Sequence, residues 1–253
     1  MIRRPHLPVE HQTQKVTRAK PPTPSSKPSS RTRVTGSRKK IAARIETIKG
    51  KKAGLVADLK KKMADENDSV PIAFSKLCKE IDACRPANTT VFDDCWSYSR
   101  DLADSMEYNE PRSYARTRGG AIGAGIANAI GMAMGNPERK VIAVVGDGSA
   151  MWGNQALWTA AHYNIPVTFV ISANASYRIL NRTKTIFLGP EFKDKIMPGF
   201  EFDNPRINFA KMAESMGVAA QTVTKPADLK GALKAAIDSN KPALVEVYVD
   251  PTA

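Results

Sequence analysis

Short apolar segments alternate with helix-periodic segments from about residue 69 to the end of the chain. The apolar segments predict buried strands at residues 89–92, 140–145, 166–172 and 243–249. Apolar positions at helical spacing predict helices at residues 98–108, 154–163, 208–216 and 226–239, with another beginning near Ser69 and another ending near Gly135. This alternation, without internal repeats, predicts an α/β fold with a parallel sheet flanked by helices. Residues 184–202 show no clear period and are expected to form an excursion loop.

The first 65 residues follow a different pattern. Residues 5–40 contain almost no large apolar side chain, so they bury too little surface to offset the entropy of ordering, and disorder is predicted there. Between residues 38 and 63 apolar side chains recur at roughly helical spacing, interrupted by Gly50 and Gly54, which favours a basic amphipathic helix pair. The predicted organisation is a largely disordered basic tail or linker over residues 1–65, followed by one α/β domain over residues 66–253.

The net charge of +13 is unevenly distributed. Residues 1–62 hold 18 Lys and Arg against three acidic residues, a charge of +15, which leaves −2 for the remaining 191 residues. Three interpretations of this basic tail stay open: a solvated linker, electrostatic contact with nucleic acid or another acidic surface, and an organelle-targeting segment.

Composition narrows the class of protein. No apolar run reaches the roughly 18 residues that a membrane span needs, and no secretory signal follows the N-terminal arginines. Cys78, Cys84 and Cys95 form no C-x-x-C pair, which argues against a disulfide framework or a structural zinc site and predicts reduced thiols. We therefore expect a cytoplasmic protein without a membrane partner, and an organelle location remains open.

Polar side chains follow two consecutive predicted strands. Asp147 lies between Gly146 and Gly148 after the first strand, and Asn174 lies 27 positions later after the second. Because a right-handed βαβ crossover places both carboxyl ends at one sheet edge, Asp147 and Asn174 are expected to meet. Their oxygen atoms suit Mg²⁺, which commonly completes its coordination with phosphate and water, so a diphosphate-bearing ligand is predicted. Asp93 and Asp94 follow another strand and would line the same edge or cap a helix.

These residues belong to a longer set of motifs. The segments GDGSA at 146–150, ALWTAA at 156–161 and YNIP at 163–166, followed by Asn174, resemble the diphosphate-binding domain of thiamine-diphosphate enzymes. Upstream, GAIG at 120–123 resembles the family's glycine turn, and Ser113 and Tyr114 resemble the segment before it. The resemblance is to benzoylformate decarboxylase and acetolactate synthase-like members and covers roughly residues 70–250. It implies the thiamine-diphosphate-binding fold.

The resemblance also implies roles for individual residues. Mg²⁺ would be bound by the side chains of Asp147 and Asn174 and by the backbone carbonyl of Ser176. The diphosphate would be bound by the amides of Gly148, Ser149 and Tyr177 and by the hydroxyl of Ser97. Ile122 would be the bulky residue beneath the bent cofactor, and the backbones of Gly120 and Ile122 would contact its aminopyrimidine. Without the resemblance, Ile122 would be a core residue and Ser97 a helix cap.

The implied function is that of a thiamine-diphosphate-dependent 2-keto acid decarboxylase or carboligase. Relatives carry a pyrimidine-binding domain with an activating glutamate, which no residue of this chain provides, so a partner subunit within a homo- or hetero-oligomer is expected to supply it. The alternatives are a non-catalytic cofactor-binding module and a nucleic-acid-associated protein acting through residues 1–62. Two positions depart from the family pattern: Ala175 stands where a glycine is usual, and Trp96 where a small hydroxyl residue is common.

Overall fold

The structure, a computed structural model, describes residues 37–65 and 68–251. The disorder predicted for residues 5–36 lies outside these ranges. Residues 37–40, also predicted to be disordered, instead form the first turn of helix α1 (Ser37–Asp65).

Helix α1 is a single helix of 29 residues, so the predicted interruption at Gly50 and Gly54 is wrong. Each glycine costs the helix about 1 kcal/mol relative to alanine, but the neighbouring Ala, Lys and Leu residues are good helix formers. Four of the apolar side chains that suggested an amphipathic helix are exposed by 45–60%; they are Ile41, Ile45, Ile48 and Leu55. The helical prediction is therefore confirmed, without the break.

Six parallel strands form one sheet. They are β1 (Thr89–Asp94), β2 (Tyr114–Arg116), β3 (Lys140–Gly146), β4 (Val167–Ala173), β5 (Ala219–Val223) and β6 (Ala243–Tyr248). Their order is β2-β1-β3-β4-β6-β5, and every pairing is parallel, which confirms the predicted sheet. The sequence did not indicate β2 and β5. Both are edge strands with polar or exposed positions, and β2 has only three residues.

Helices cover both faces of the sheet. They are α2 (Phe74–Cys84), α3 (Ser99–Ser105), α4 (Gly125–Gly135), α5 (Asp147–Ala150), α6 (Ala156–His162), α7 (Arg178–Leu188), α8 (Phe209–Ser215) and α9 (Pro226–Asp238). One apolar core lies between the sheet and helices α2, α3 and α9, and a second lies between the opposite face and helices α4, α6 and α8. Alternate residues of β4 illustrate this division, since Val170 enters the first core whereas Phe169 and Ile171 enter the second.

Helix α7 corrects the prediction that residues 184–202 form an excursion loop, because it includes residues 184–188. A short 3₁₀ helix, Pro190–Phe192, follows it. The apolar positions of α7 recur at helical spacing only when the window begins before Lys184; they are Ile179, Leu180, Ile186 and Phe187. Because the predicted loop began at residue 184, inside the helix, the helical spacing of these apolar residues was not recognised.

The order of the strands reverses at β1, because the chain passes from β1 to β2 on one side and then crosses to β3 on the other. In open α/β sheets, ligands bind outside the carboxyl ends of the strands at such a reversal. The register aligns these ends, because Asp94 pairs with Val145 and Gly146 pairs with Ser172. The loops after β1, β3 and β4 therefore leave the sheet together.

Two further findings concern expectations from composition. Within residues 37–65 and 68–251, no helix combines the length and apolarity that a membrane span requires. All three cysteines are free thiols, as predicted.

The continuous helix α1 can be tested with a peptide of residues 37–65. Replacing Gly50 and Gly54 by alanine should raise its helicity, because nothing lies within 4 Å of a Cβ at either position and each replacement favours the helix by about 1 kcal/mol. Circular dichroism measures the change, and Ala53→Gly is the matched control with the opposite expected sign. Unchanged or lower helicity in the alanine variant would contradict a helix that continues through both positions.

Candidate functional site

A cleft of about 430 Å³ opens at the carboxyl edge of the sheet. All nine residues singled out from the sequence line it: Ser97, Gly120, Ile122, Asp147, Gly148, Ser149, Asn174, Ser176 and Tyr177. A smaller depression of about 290 Å³ contains Asn88 and Thr89 at the opposite edge and includes none of the nine. The predicted residues are therefore brought together at the edge where the sequence placed them.

Asp147 and Asn174 are joined through the loops that carry them. The Asp147 carboxylate accepts hydrogen bonds from the amide of Gly148 at 2.8 Å and from the amide of Ala175 at 2.6 Å. Asn174 Oδ1 accepts a hydrogen bond from the Ser176 amide at 3.0 Å. Both side chains are largely buried from bulk solvent, yet both line the same cleft. A single ligand in the cleft could therefore contact the carboxylate and the carboxamide.

Burial raises the pKa of Asp147 to about 6, although hydrogen bonds from Ala175, Gly148 and Asn174 oppose the increase. The charged form is disfavoured because it has lost most of its hydration, and Arg206 supplies only a smaller favourable charge. A divalent cation beside such a carboxylate favours its ionised form. Ionisation of Asp147 is therefore less favourable than usual unless further positive charge lies beside it.

Two of the three amides predicted to contact a diphosphate have protein partners in this structure. The Gly148 amide donates to Asp147, and the Tyr177 amide donates to the carbonyl of Phe200 at 2.7 Å. The Tyr177 ring also covers Gly148, where a Cβ atom would lie 2.6 Å from the ring, so only glycine fits beneath it. Binding through these amides would require exchange of both hydrogen bonds.

Ile122 and Ser97 occupy the cleft wall. Ile122 is 41% exposed, so the alternative prediction of a core residue is wrong. Ser97 lies inside a 3₁₀ helix, Trp96–Tyr98, and Tyr98 is the residue that precedes α3, so Ser97 does not cap α3. Trp96 also lines the cleft, and its ring lies 3.9 Å from the position of a Cβ at Gly120. A large aromatic ring therefore borders the glycine-rich turn at residues 120–123, called the glycine loop below.

Asp94 holds segments around the cleft together without lining the cleft itself. It is buried and outside the lining, and its carboxylate accepts hydrogen bonds from Ser149 Oγ, the Gly125 amide, Trp96 Nε1 and Thr117 Oγ1. Burial raises the pKa of Asp94, and these donors oppose the increase. The sequence left its role open between an edge residue and a cap. The structure shows that it joins the end of β1 to the start of α4 and to α5.

Arg178 is a lining residue that the sequence analysis did not single out. It is the first residue of α7, and its guanidinium carbon lies 4.6 Å from the centre of the Tyr98 ring. Its position after the Asn174 loop was the only available signal. Nothing in the sequence indicates that the side chain is buried.

Comparison with known proteins identifies the family. Residues 96–247 match thiamine pyrophosphate enzymes over the C-terminal TPP binding domain. Since this match covers more than half of the chain, the protein belongs to that family, and the predicted resemblance is confirmed. Benzoylformate decarboxylase of Pseudomonas aeruginosa is 30% identical over 207 residues, which are 82% of this chain and 38% of that protein.

Another curated relative and a solved structure support the same family. A probable acetolactate synthase large subunit of Methanococcus aeolicus is 32% identical over 192 residues, covering 74% of this chain and 31% of the relative. The structure of a thiamine diphosphate-dependent 4-hydroxybenzoylformate decarboxylase from Rhodococcus jostii RHA1 aligns with a TM-score of 0.67 and 30% identity, over 72% of this chain and 33% of that one. The chain therefore spans about a third of the length of these relatives.

The Ala175 backbone provides a test of strain in the loop after β4. Its φ is +56°, in the left-handed region that an L-residue adopts at a cost of roughly 1–2 kcal/mol. Ala175→Gly should therefore raise the free energy of unfolding by about 1 kcal/mol, measured by urea denaturation. Ala235→Gly, at an exposed position of α9, is the control and should lower it by a similar amount. An Ala175→Gly variant no more stable than the wild type would argue against strain here.

Proposed function

We propose that this chain provides the diphosphate-binding half of a thiamine-diphosphate-dependent 2-keto acid decarboxylase or carboligase. The observation that carries the proposal is the convergence of Asp147 and Asn174 in one cleft beside the glycine loop. The family match and the decarboxylase and acetolactate synthase relatives support the same class of enzyme.

The donor set in the cleft fits a magnesium ion bound together with a diphosphate. Among the described residues, no group of three or more His, Cys, Asp and Glu is placed to hold a metal by itself. The proposed set has one carboxylate from Asp147, one carboxamide from Asn174 and the backbone carbonyl of Ser176. Mg²⁺ accepts such a partial set when phosphate oxygens and water complete its octahedron. A metal at this site would thus depend on the diphosphate.

The remaining residues would bind and orient the cofactor. Ser97 and the amides of Gly148, Ser149 and Tyr177 are proposed to hold the diphosphate, and the exposed Ile122 to support the bend between the two rings. Gly120 and Ile122 would present their backbones to the aminopyrimidine. When bound, thiamine diphosphate supplies a nucleophilic carbon and an electron sink for the decarboxylation of a 2-keto acid.

The proposal includes a partner for the other half of the cleft. None of the described residues that line it is a glutamate, the residue type expected to activate the aminopyrimidine. The chain also spans only about a third of its relatives. We propose that a pyrimidine-binding domain on another chain or segment provides this glutamate and that the complete site forms in an oligomer.

The metal assignment can be tested by replacing Asp147. Asp147→Ala should abolish Mg²⁺-dependent binding of thiamine diphosphate to the 253-residue chain in titration calorimetry, because it removes the only carboxylate of the proposed ligand set. Chelation of Mg²⁺ should have the same effect on the wild-type chain. Asp104→Ala, at a half-exposed carboxylate on α3, is the matched control and should bind normally. Unchanged affinity in Asp147→Ala would remove the metal assignment.

The need for a second half can be tested by measuring CO₂ release. The purified chain with Mg²⁺, thiamine diphosphate and a 2-keto acid such as benzoylformate should show no turnover. Addition of a pyrimidine-binding domain should produce CO₂, and the same domain with its glutamate replaced by glutamine serves as the control. Turnover by the chain alone would contradict the divided site.

A further inference from the structure

Arg178 carries the buried positive charge of the cleft. The residue is 7% exposed and its side chain lines the cleft, while its Nη1 atom is buried without a hydrogen-bond partner. Among the described residues, this is the only buried side-chain nitrogen or oxygen atom in that condition. Since nearly all buried polar groups in native proteins are paired, an unpaired guanidinium nitrogen in a cleft points to a missing acceptor.

Arg178 has no ion-pair partner among the described residues. Its closest aromatic neighbour is the Tyr98 ring, whose hydroxyl donates to the Asp250 carbonyl at 2.7 Å and accepts a hydrogen bond from Asn174 Nδ2. The cation–π contact with this ring stabilises the charge, but the Nη1 atom still has no acceptor.

Arg206 offers a comparison within the same domain. Its guanidinium also lies over an aromatic ring, that of Tyr248, at 3.8 Å from the centre. However, its Nη2 donates to the Ala173 carbonyl at 2.9 Å. Stacking on a tyrosine therefore does not prevent an arginine here from finding an acceptor. The missing acceptor for Arg178 Nη1 is specific to the cleft.

The chemistry of the guanidinium selects the class of ligand. A buried cation without a counter-charge is costly, and the planar N–H fork of arginine matches the oxygens of a phosphate group. Asn174, through its contact with Tyr98, links Arg178 to the proposed metal position. A diphosphate bound in this cleft would therefore share its lining with the guanidinium.

We propose that Arg178 binds a phosphate oxygen of the diphosphate directly, as a second cation beside the metal. This assignment rests on the proposed function, because it takes the ligand of the cleft to be a diphosphate. It adds a residue to the binding set predicted from the sequence. It also explains why the protein retains an uncompensated charge in its interior.

Titration of the full chain with three ligands in the presence of Mg²⁺ tests the proposal. Arg178→Gln should weaken binding of thiamine diphosphate and of inorganic pyrophosphate by about 10- to 150-fold, the range expected when a hydrogen bond to a charged group is lost. Its affinity for thiamine, which has no phosphate, should not change. Arg182→Gln, at an exposed position one turn along α7, is the matched control and should bind all three ligands as the wild type does.

Stability without ligand separates a binding role from a structural one. If Arg178 is held for the ligand, Arg178→Gln should be at least as stable as the wild type in urea, because the unpaired buried charge is removed. A variant that unfolds at clearly lower urea concentration than the wild type would assign Arg178 a packing role and overturn the proposal.

The binding outcomes distinguish this inference from the proposed function. Tight binding of thiamine diphosphate by both the wild type and Arg178→Gln would overturn the Arg178 assignment alone. Arginine-dependent binding of pyrophosphate, without any binding of thiamine diphosphate, would overturn the proposed function and support Arg178 as a phosphate ligand. A wild-type chain that binds neither ligand would overturn both.

Discussion

The parallel register of β1, β3 and β4 is the constraint on which the cleft depends. Because these strands end together, Asp94, Asp147 and Asn174 leave the sheet at one edge although the chain separates the first and last by 80 positions. Charged groups at this edge are buried and need many donors. The backbone amides of Gly125, Gly148 and Ala175 are three of these donors, and they tie the segments after β2, β3 and β4 to the two carboxylates.

Several features at the carboxyl edge of the sheet lower the stability of the folded chain. Asp147 is buried with its pKa raised, Ala175 holds a left-handed backbone, and Arg178 has an unpaired nitrogen. Each feature is unfavourable for the chain alone, and such features cluster where a protein is shaped for a ligand. A cation beside Asp147 and an anion beside Arg178 would relieve two of them together. A magnesium diphosphate combines both charges, which is the physical argument for the proposed cofactor.

The sequence predicted those parts of the molecule that depend on local pattern. Strands β3 and β4 are continuous apolar runs, and Asp147 and Asn174 follow directly from the crossover between them. Edge strand β5 was not predicted because its side chains are mostly exposed. The helix break predicted at Gly50 and Gly54 was wrong because the helix propensity of the neighbouring residues outweighs the cost of the two glycines. The contributions of Asp94 and Arg178 depend on burial and on partners far along the chain. Residue position indicated an edge or cap role for Asp94 and placed Arg178 after the Asn174 loop, but it did not show what either side chain contacts.

The distribution of polar and apolar groups around the cleft bears on what completes it. Asp147, Asn174 and Arg178 are buried, whereas Ile122 and Trp152 on the same wall are 41% and 63% exposed. The polar end is thus enclosed by this chain, and the apolar end is open. Large exposed apolar patches mark sites that bind a ligand or another protein surface. Because the diphosphate is the polar end of the proposed cofactor and its rings are the less polar end, the open side is where a second domain would contribute. The division of the site that we propose would therefore follow the polarity of the ligand itself.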